Sequence, residues 1–148
     1  MKTKIFCDSA DLKVIKRLSK NKLIKGFTTN PSLMKLSGAK NYKNYSLKLL
    51  KASNNKPISF EVFADEFDLM INQANKIKMW GNNVYVKIPV VNTKGFFSGK
   101  VIRVLNQNRV KLNITAVYKV SQVKKILKNI NKNSKVIISI FAGRMADK

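Results

Sequence analysis

Short apolar runs alternate with longer amphipathic ones along the chain. The runs Lys4–Asp8, Gly26–Asn30, Ile58–Phe63, Val84–Val90, Leu112–Ala116 and Val136–Phe141 have the length and residue types of strands. Between them apolar residues recur at helical spacing. Leu12, Ile15 and Leu18 do so within Asp11–Lys20, and Tyr42, Tyr45 and Leu49 in the next segment. Phe67, Met70, Ile71, Ala74 and Ile77 mark a third helix, and Val101, Val104 and Leu105 a fourth. Val120, Val123, Ile126, Leu127 and Ile130 mark a fifth. Strand–helix alternation predicts a parallel sheet with helical crossovers. No linker interrupts it, so residues 1–148 are expected to form a single domain.

Alternation within the strands sorts the polar residues, because every second side chain faces the same way. Val86 and Ile88 share one face, Tyr85 and Lys87 the other. Leu112 and Ile114 oppose Asn113 and Thr115; Phe60 and Val62 oppose Ser59 and Glu61. Phe27 and Thr29 oppose Thr28 and Asn30, Ile5 and Cys7 oppose Phe6 and Asp8, and Ile138 and Ile140 oppose Ser139 and Phe141. A doubly wound sheet of the flavodoxin kind needs two largely apolar faces. A barrel instead gathers functional side chains at the C-terminal mouth of its strands. The pattern therefore predicts an α/β fold of the (β/α) TIM-barrel type.

Composition adds a net charge of +23, from thirty Lys and Arg against seven Asp and Glu. Such a surface attracts polyanions and phosphorylated metabolites. The lysines are scattered through every segment, however, as on an ordinary solvated surface. Stacking aromatic clusters are missing, and zinc-finger spacing needs His, of which there is none. Nucleic acid is therefore not the expected partner. One cysteine, Cys7, excludes an internal disulfide and fits a reducing compartment. The first residues lack a signal-peptide core, and no run approaches the roughly 20 apolar residues of a membrane span. A soluble, cytoplasmic protein is expected.

Lys87 carries the chemistry. Its neighbours in Val84–Val90 want burial, and an ammonium is unfavourable there, which favours the nucleophilic neutral amine. Such an amine attacks a ketone to give an iminium, an electron sink for carbon–carbon cleavage. The strand alone supports equally well a lysine that only pairs with a carboxylate. Asp8 and Glu61, two of only seven acids, lie in apolar strands on the same parity and tip the balance toward acid–base catalysis. Thr28-Thr29-Asn30-Pro31-Ser32 reads by itself as a turn, in which Pro31 extends Asn30 and Ser32 could cap a helix. Asn113 and Thr115 suit a sugar hydroxyl, a water or each other. Arg144 suits a phosphate, although a solvated loop arginine is commoner. Cys7 reads as a small hydrophobe and Trp80 as helix-end packing.

From Ile5 onward these segments resemble the transaldolase family, including its branch shared with fructose-6-phosphate aldolases. The motifs are Phe6-Cys7-Asp8-Ser9-Ala10, Gly26-Phe27-Thr28-Thr29-Asn30-Pro31-Ser32, Val86-Lys87-Ile88-Pro89, Asn113-Ile114-Thr115 and Phe141-Ala142-Gly143-Arg144. The resemblance implies that Lys87 is the Schiff-base lysine and Asp8 exchanges the proton of the substrate hydroxyl. Glu61 and Thr115 would hold the water of iminium formation and release. Asn30, Asn113 and Ser139 would orient a dihydroxyacetone unit, with Thr28 and Phe141 in the substrate site and Arg144 on the phosphate. The aldolase branch tends to carry Gln at position 61 and Tyr at 141, so Glu61 and Phe141 favour transaldolase. The implied reaction moves a dihydroxyacetone unit from sedoheptulose 7-phosphate to glyceraldehyde 3-phosphate, without metal or organic cofactor. A fructose-6-phosphate aldolase-like lyase stays open, as do an inactive barrel fragment and a basic nucleic-acid-binding domain. A closed barrel typically takes about 250 residues. With six strands in sight, about six of eight βα units, the expectation is a truncated barrel whose outer strands are exposed. Its activity, and assembly into a homo-oligomer, stay open.

Overall fold

The computed structural model describes residues 3–132 and 134–142. Its elements in chain order are β1 (Ile5–Asp8), α1 (Leu12–Leu18), β2 (Ile24–Thr28), α2 (Pro31–Leu36), α3 (Tyr42–Ala52) and β3 (Ile58–Glu61). Then follow α4 (Phe67–Lys78), β4 (Val84–Pro89), α5 (Gly99–Gln107), β5 (Leu112–Val117), α6 (Val120–Leu127) and β6 (Val136–Ile140). Strand order equals chain order, β1 to β6. The β1–β2, β2–β3, β4–β5 and β5–β6 pairings are parallel. A doubly wound sheet reverses its order at a switch point, and this one does not. The fold is thus the (β/α) TIM-barrel type, incomplete, with six of the eight strands of a closed barrel among the described residues.

The chain divides into two compact units that part within β4. One comprises Met1–Glu61 with Met79–Tyr85, the other Val62–Lys78 with Val86–Lys148. In the first, α1 packs on α3, and Ile15, Phe27, Met34, Leu49, Ile58 and Phe60 are fully buried. Asp11 starts α1 by accepting hydrogen bonds from the N–H groups of Lys13 and Val14. Gly26 is required by close approach, since a Cβ there would collide with the Phe6 ring and the Pro57 carbonyl. Trp80 packs as expected, edge-on to Phe60 at 5.6 Å and tilted against Tyr42 at 6.0 Å.

Two expectations for this unit change. β2 occupies Ile24–Thr28 rather than Gly26–Asn30, and the segment read as a turn opens a helix, α2. Its cap is Asn30, not Ser32. Asn30 is extended (φ −150°, ψ 163°) and its side-chain oxygen accepts from the Leu33 N–H at 2.9 Å. Pro31, which has no N–H to lose and a preset φ, fits the first helical turn, so the chain leaves the strand there.

In the second unit α4 lies against α5, and Met70, Ala74, Val101, Ile102, Leu105, Leu112 and Ile114 form the core. In β4 burial follows the anticipated alternation: Val86 and Ile88 are buried, Lys87 and Pro89 half-buried. The β5–β6 register shifts between Ile114 and Val117, where Ala116 takes a left-handed φ of 58°. Helix α6 departs from its expected apolar face, since Val120 is 72% and Leu127 56% exposed. Ile126 alone in this helix is buried, because eight residues give barely two turns and a narrow covered arc. In the outer strands, Ile5 of β1 is 51% and Ile140 of β6 is 68% exposed.

Candidate active site

Parallel pairing in the first unit places Asp8 beside Thr28 and Thr28 beside Ser59. Partners in register face the same way, so these three and Glu61, two residues beyond Ser59, share a face. The Thr28 hydroxyl donates to the Asp8 carboxylate at 2.6 Å. Asp8 itself is exposed and Glu61 half-buried. Thr29, on the opposite side, is buried and donates its hydroxyl to the Ser59 carbonyl at 2.8 Å. Asn30 stands at the head of α2 with its side-chain oxygen engaged in capping.

Glu61 is the last residue of β3, and its main-chain carbonyl accepts a hydrogen bond from the Tyr42 hydroxyl at 2.7 Å. Burial pushes that hydroxyl above the usual phenol range, so it stays protonated and remains a donor. Nothing in the sequence singled out Tyr42 for this. Its spacing marks it as a core position of a helix; in the fold it is half-buried, with its ring against Trp80.

In the second unit Lys87 pairs in register with Asn113, and Asn113 with Ile137. Ser139, two residues beyond Ile137, donates its hydroxyl to the Asn113 side-chain oxygen at 2.7 Å. Lys87, Asn113 and Ser139 therefore line one side of three adjacent strands. Asn113 is 1% and Thr115 6% exposed, and Thr115 pairs with Pro89. Lys87 is half-buried rather than enclosed, and its carbonyl accepts from the Val62 N–H at 3.1 Å. Tyr85, on the same parity, is half-buried and its hydroxyl is pushed up by desolvation. Phe141 is half-buried with its ring 5.5 Å from that of Tyr118, and its N–H donates to the Val117 carbonyl at 2.9 Å. Arg144 lies outside the described residues.

The loops of this unit hold a clasp that sequence reading missed. The Asp65 carboxylate accepts from the Thr93 N–H at 2.7 Å and from the Thr93 hydroxyl at 2.8 Å. It ties the loop before α4 to the loop after β4, and the Thr93 bonds hold the Asp65 carboxyl below its ordinary range. A pair 28 residues apart leaves no local signature in the sequence. Cys7 is half-buried, with its thiol pushed up first by desolvation and then by Asp8. That is the opposite of what a nucleophilic thiol needs. Among the described residues, no group of three or more His, Cys, Asp or Glu could hold a metal ion. Nor is any of their helices long and apolar enough to cross a membrane.

Sequential parallel βα units, with polar side chains aligned on successive strands, define a chain of the (β/α)-barrel class. The profile of the family described as Transaldolase/Fructose-6-phosphate aldolase matches residues 5–148. The chain belongs to this family, whose members are enzymes of the transaldolase and aldolase kind. It is 34% identical over 146 residues to a "Probable transaldolase" of Thermoplasma volcanium, covering 97% of this chain and 61% of that protein. It is 33% identical over 144 residues to a "Probable transaldolase" of Streptococcus equi subsp. zooepidemicus, covering 97% and 63%. The chain thus spans 61–63% of the length of these curated relatives.

Proposed function

We propose that this chain carries the Schiff-base half of a transaldolase-type transferase, with Lys87 as the covalent nucleophile. The observation that carries the proposal is the row Lys87–Asn113–Ser139, a lysine beside a buried amide and a hydroxyl on one side of adjacent strands. The neutral Lys87 amine attacks the ketone of a ketose phosphate. The carbinolamine loses water and leaves an iminium. Asp8 takes the proton of the hydroxyl on the β carbon, the bond between the α and β carbons breaks, and its electron pair enters the iminium as an enamine. An aldose phosphate departs. The enamine then attacks the aldehyde of the acceptor, and water releases the new ketose and the amine.

In this reading Glu61 and Thr115 hold the water that is lost and later returned. Asn30, Asn113 and Ser139 orient the dihydroxyacetone unit, and Thr28 fixes the Asp8 carboxylate. Phe141 lines the substrate, while Arg144 takes the phosphate through its forked donors. The donor and acceptor we assign are sedoheptulose 7-phosphate and glyceraldehyde 3-phosphate, in the cytoplasm. Glu61 and Phe141, where the aldolase branch tends to carry Gln and Tyr, support transfer over release of free dihydroxyacetone. Assaying fructose 6-phosphate cleavage with and without an aldose phosphate acceptor separates the two.

The decisive experiment is borohydride reduction in the presence of dihydroxyacetone or fructose 6-phosphate, followed by peptide mass spectrometry. A stable adduct on Lys87 is expected, and Lys87→Met abolishes it. An unlabelled Lys87 in the wild-type chain, or undiminished labelling after Lys87→Met, refutes the proposal.

A further inference from the structure

The β2–β3 ladder runs out of donors where Glu61 needs one. Phe27 N–H donates to the Pro57 carbonyl at 2.7 Å and Thr29 N–H to the Ser59 carbonyl at 3.2 Å. The alternation next calls for residue 31 to donate to the carbonyl of residue 61. Residue 31 is proline and has no N–H. The Tyr42 hydroxyl fills that place, at 2.7 Å from the Glu61 oxygen.

Tyr42 is held to this task from both sides. It is the first residue of α3, fixed by the Asn41 cap, whose side chain accepts from the Asn44 N–H at 2.9 Å. Its ring leans on Trp80, and Trp80 in turn meets Phe60, the fully buried residue preceding Glu61. Phe60 and Glu61 point to opposite sides of β3, so this packing anchors one side of the strand end while the carboxylate occupies the other. We propose that Tyr42, braced by Trp80, is a positioning residue that fixes the end of β3 and thereby aims the Glu61 carboxylate. This rests on the role given to Glu61 above. It adds a residue that the chemistry itself does not touch.

The test is a double-mutant cycle on the rate at which borohydride traps dihydroxyacetone on Lys87. Tyr42→Phe removes one oxygen and keeps the ring. It is expected to slow trapping about tenfold in the wild-type background and not at all in a Glu61→Ala background, since a positioning residue acts only through the group it positions. Equal slowing in both backgrounds, or none in either, overturns the proposal and leaves Lys87 as the nucleophile. If the wild-type chain does not trap, the Schiff-base reading fails first and this inference with it. Should circular dichroism show Tyr42→Phe unfolded, Trp80→Leu replaces it, because it removes the brace and leaves the hydroxyl. Loss of trapping that depends on Glu61 again supports the proposal, and its absence overturns it.

Discussion

At the scale of single residues, the structure separates groups that the sequence presents alike. Asp8 and Asp65 are both acids with a threonine partner. Asp8 belongs to a strand, and its bond to Thr28 follows from the in-register pairing of β1 with β2. Its parity was legible in the sequence. Asp65 belongs to a loop, and its bonds to Thr93 depend on how two loops meet, which parity does not specify. The Asp65 clasp has a pH signature. The folded carboxyl sits below its ordinary value, so the clasp is intact above the unfolded carboxylate pKa, about 4. It is lost as pH falls through the lower folded value. The Thr93 amide resonance is therefore expected to stay constant from neutral pH to about 5 and to move only below about 4. A titration midpoint at or above the ordinary carboxylate value of about 4 would show that Thr93 is not holding the carboxylate. In Asp65→Asn the amide loses this acid transition.

Elements were more legible than their ends. All six strands and five of the helices lie where apolar periodicity places them, because burial of one face is a local property of sequence. The boundary at Asn30 was missed because proline ends a strand and starts a helix equally well, and spacing cannot tell which follows. The left-handed Ala116 in β5 was likewise invisible, since alanine carries no mark of that conformation. A left-handed L-residue costs about 1–2 kcal/mol, and glycine escapes most of it at some loss of unfolded-state restriction. Ala116→Gly is thus expected to stabilise the chain by about 0.5–1 kcal/mol, read as a higher urea midpoint at unchanged slope. A lower midpoint would mean that the register shift tolerates alanine without strain.

On the scale of the whole molecule, charge dominates. Two exposed ion pairs among the described residues, Lys94–Glu66 and Lys100–Asp68, contribute little to stability because solvent screens them. A net charge of +23 instead repels itself throughout the fold. Raising ionic strength from about 0.02 to 0.15 M shortens the screening length to about 8 Å and is expected to raise Tm by on the order of a few degrees. A Tm that stays flat or falls in sodium chloride would show that the lysines are spaced widely enough not to matter.

The sequence alone determined the succession of elements, the side of each strand that carries polar groups, and the lysine on which the proposed chemistry rests. Each of these depends on near neighbours in the chain, where alternation and helical spacing act. Tertiary structure decided which distant groups complete one another: a tyrosine hydroxyl at the carbonyl of Glu61, a serine on Asn113, a threonine on Asp65. Such pairings arise when an unsatisfied polar group is brought to a donor far away in sequence, and only the folded chain defines that distance.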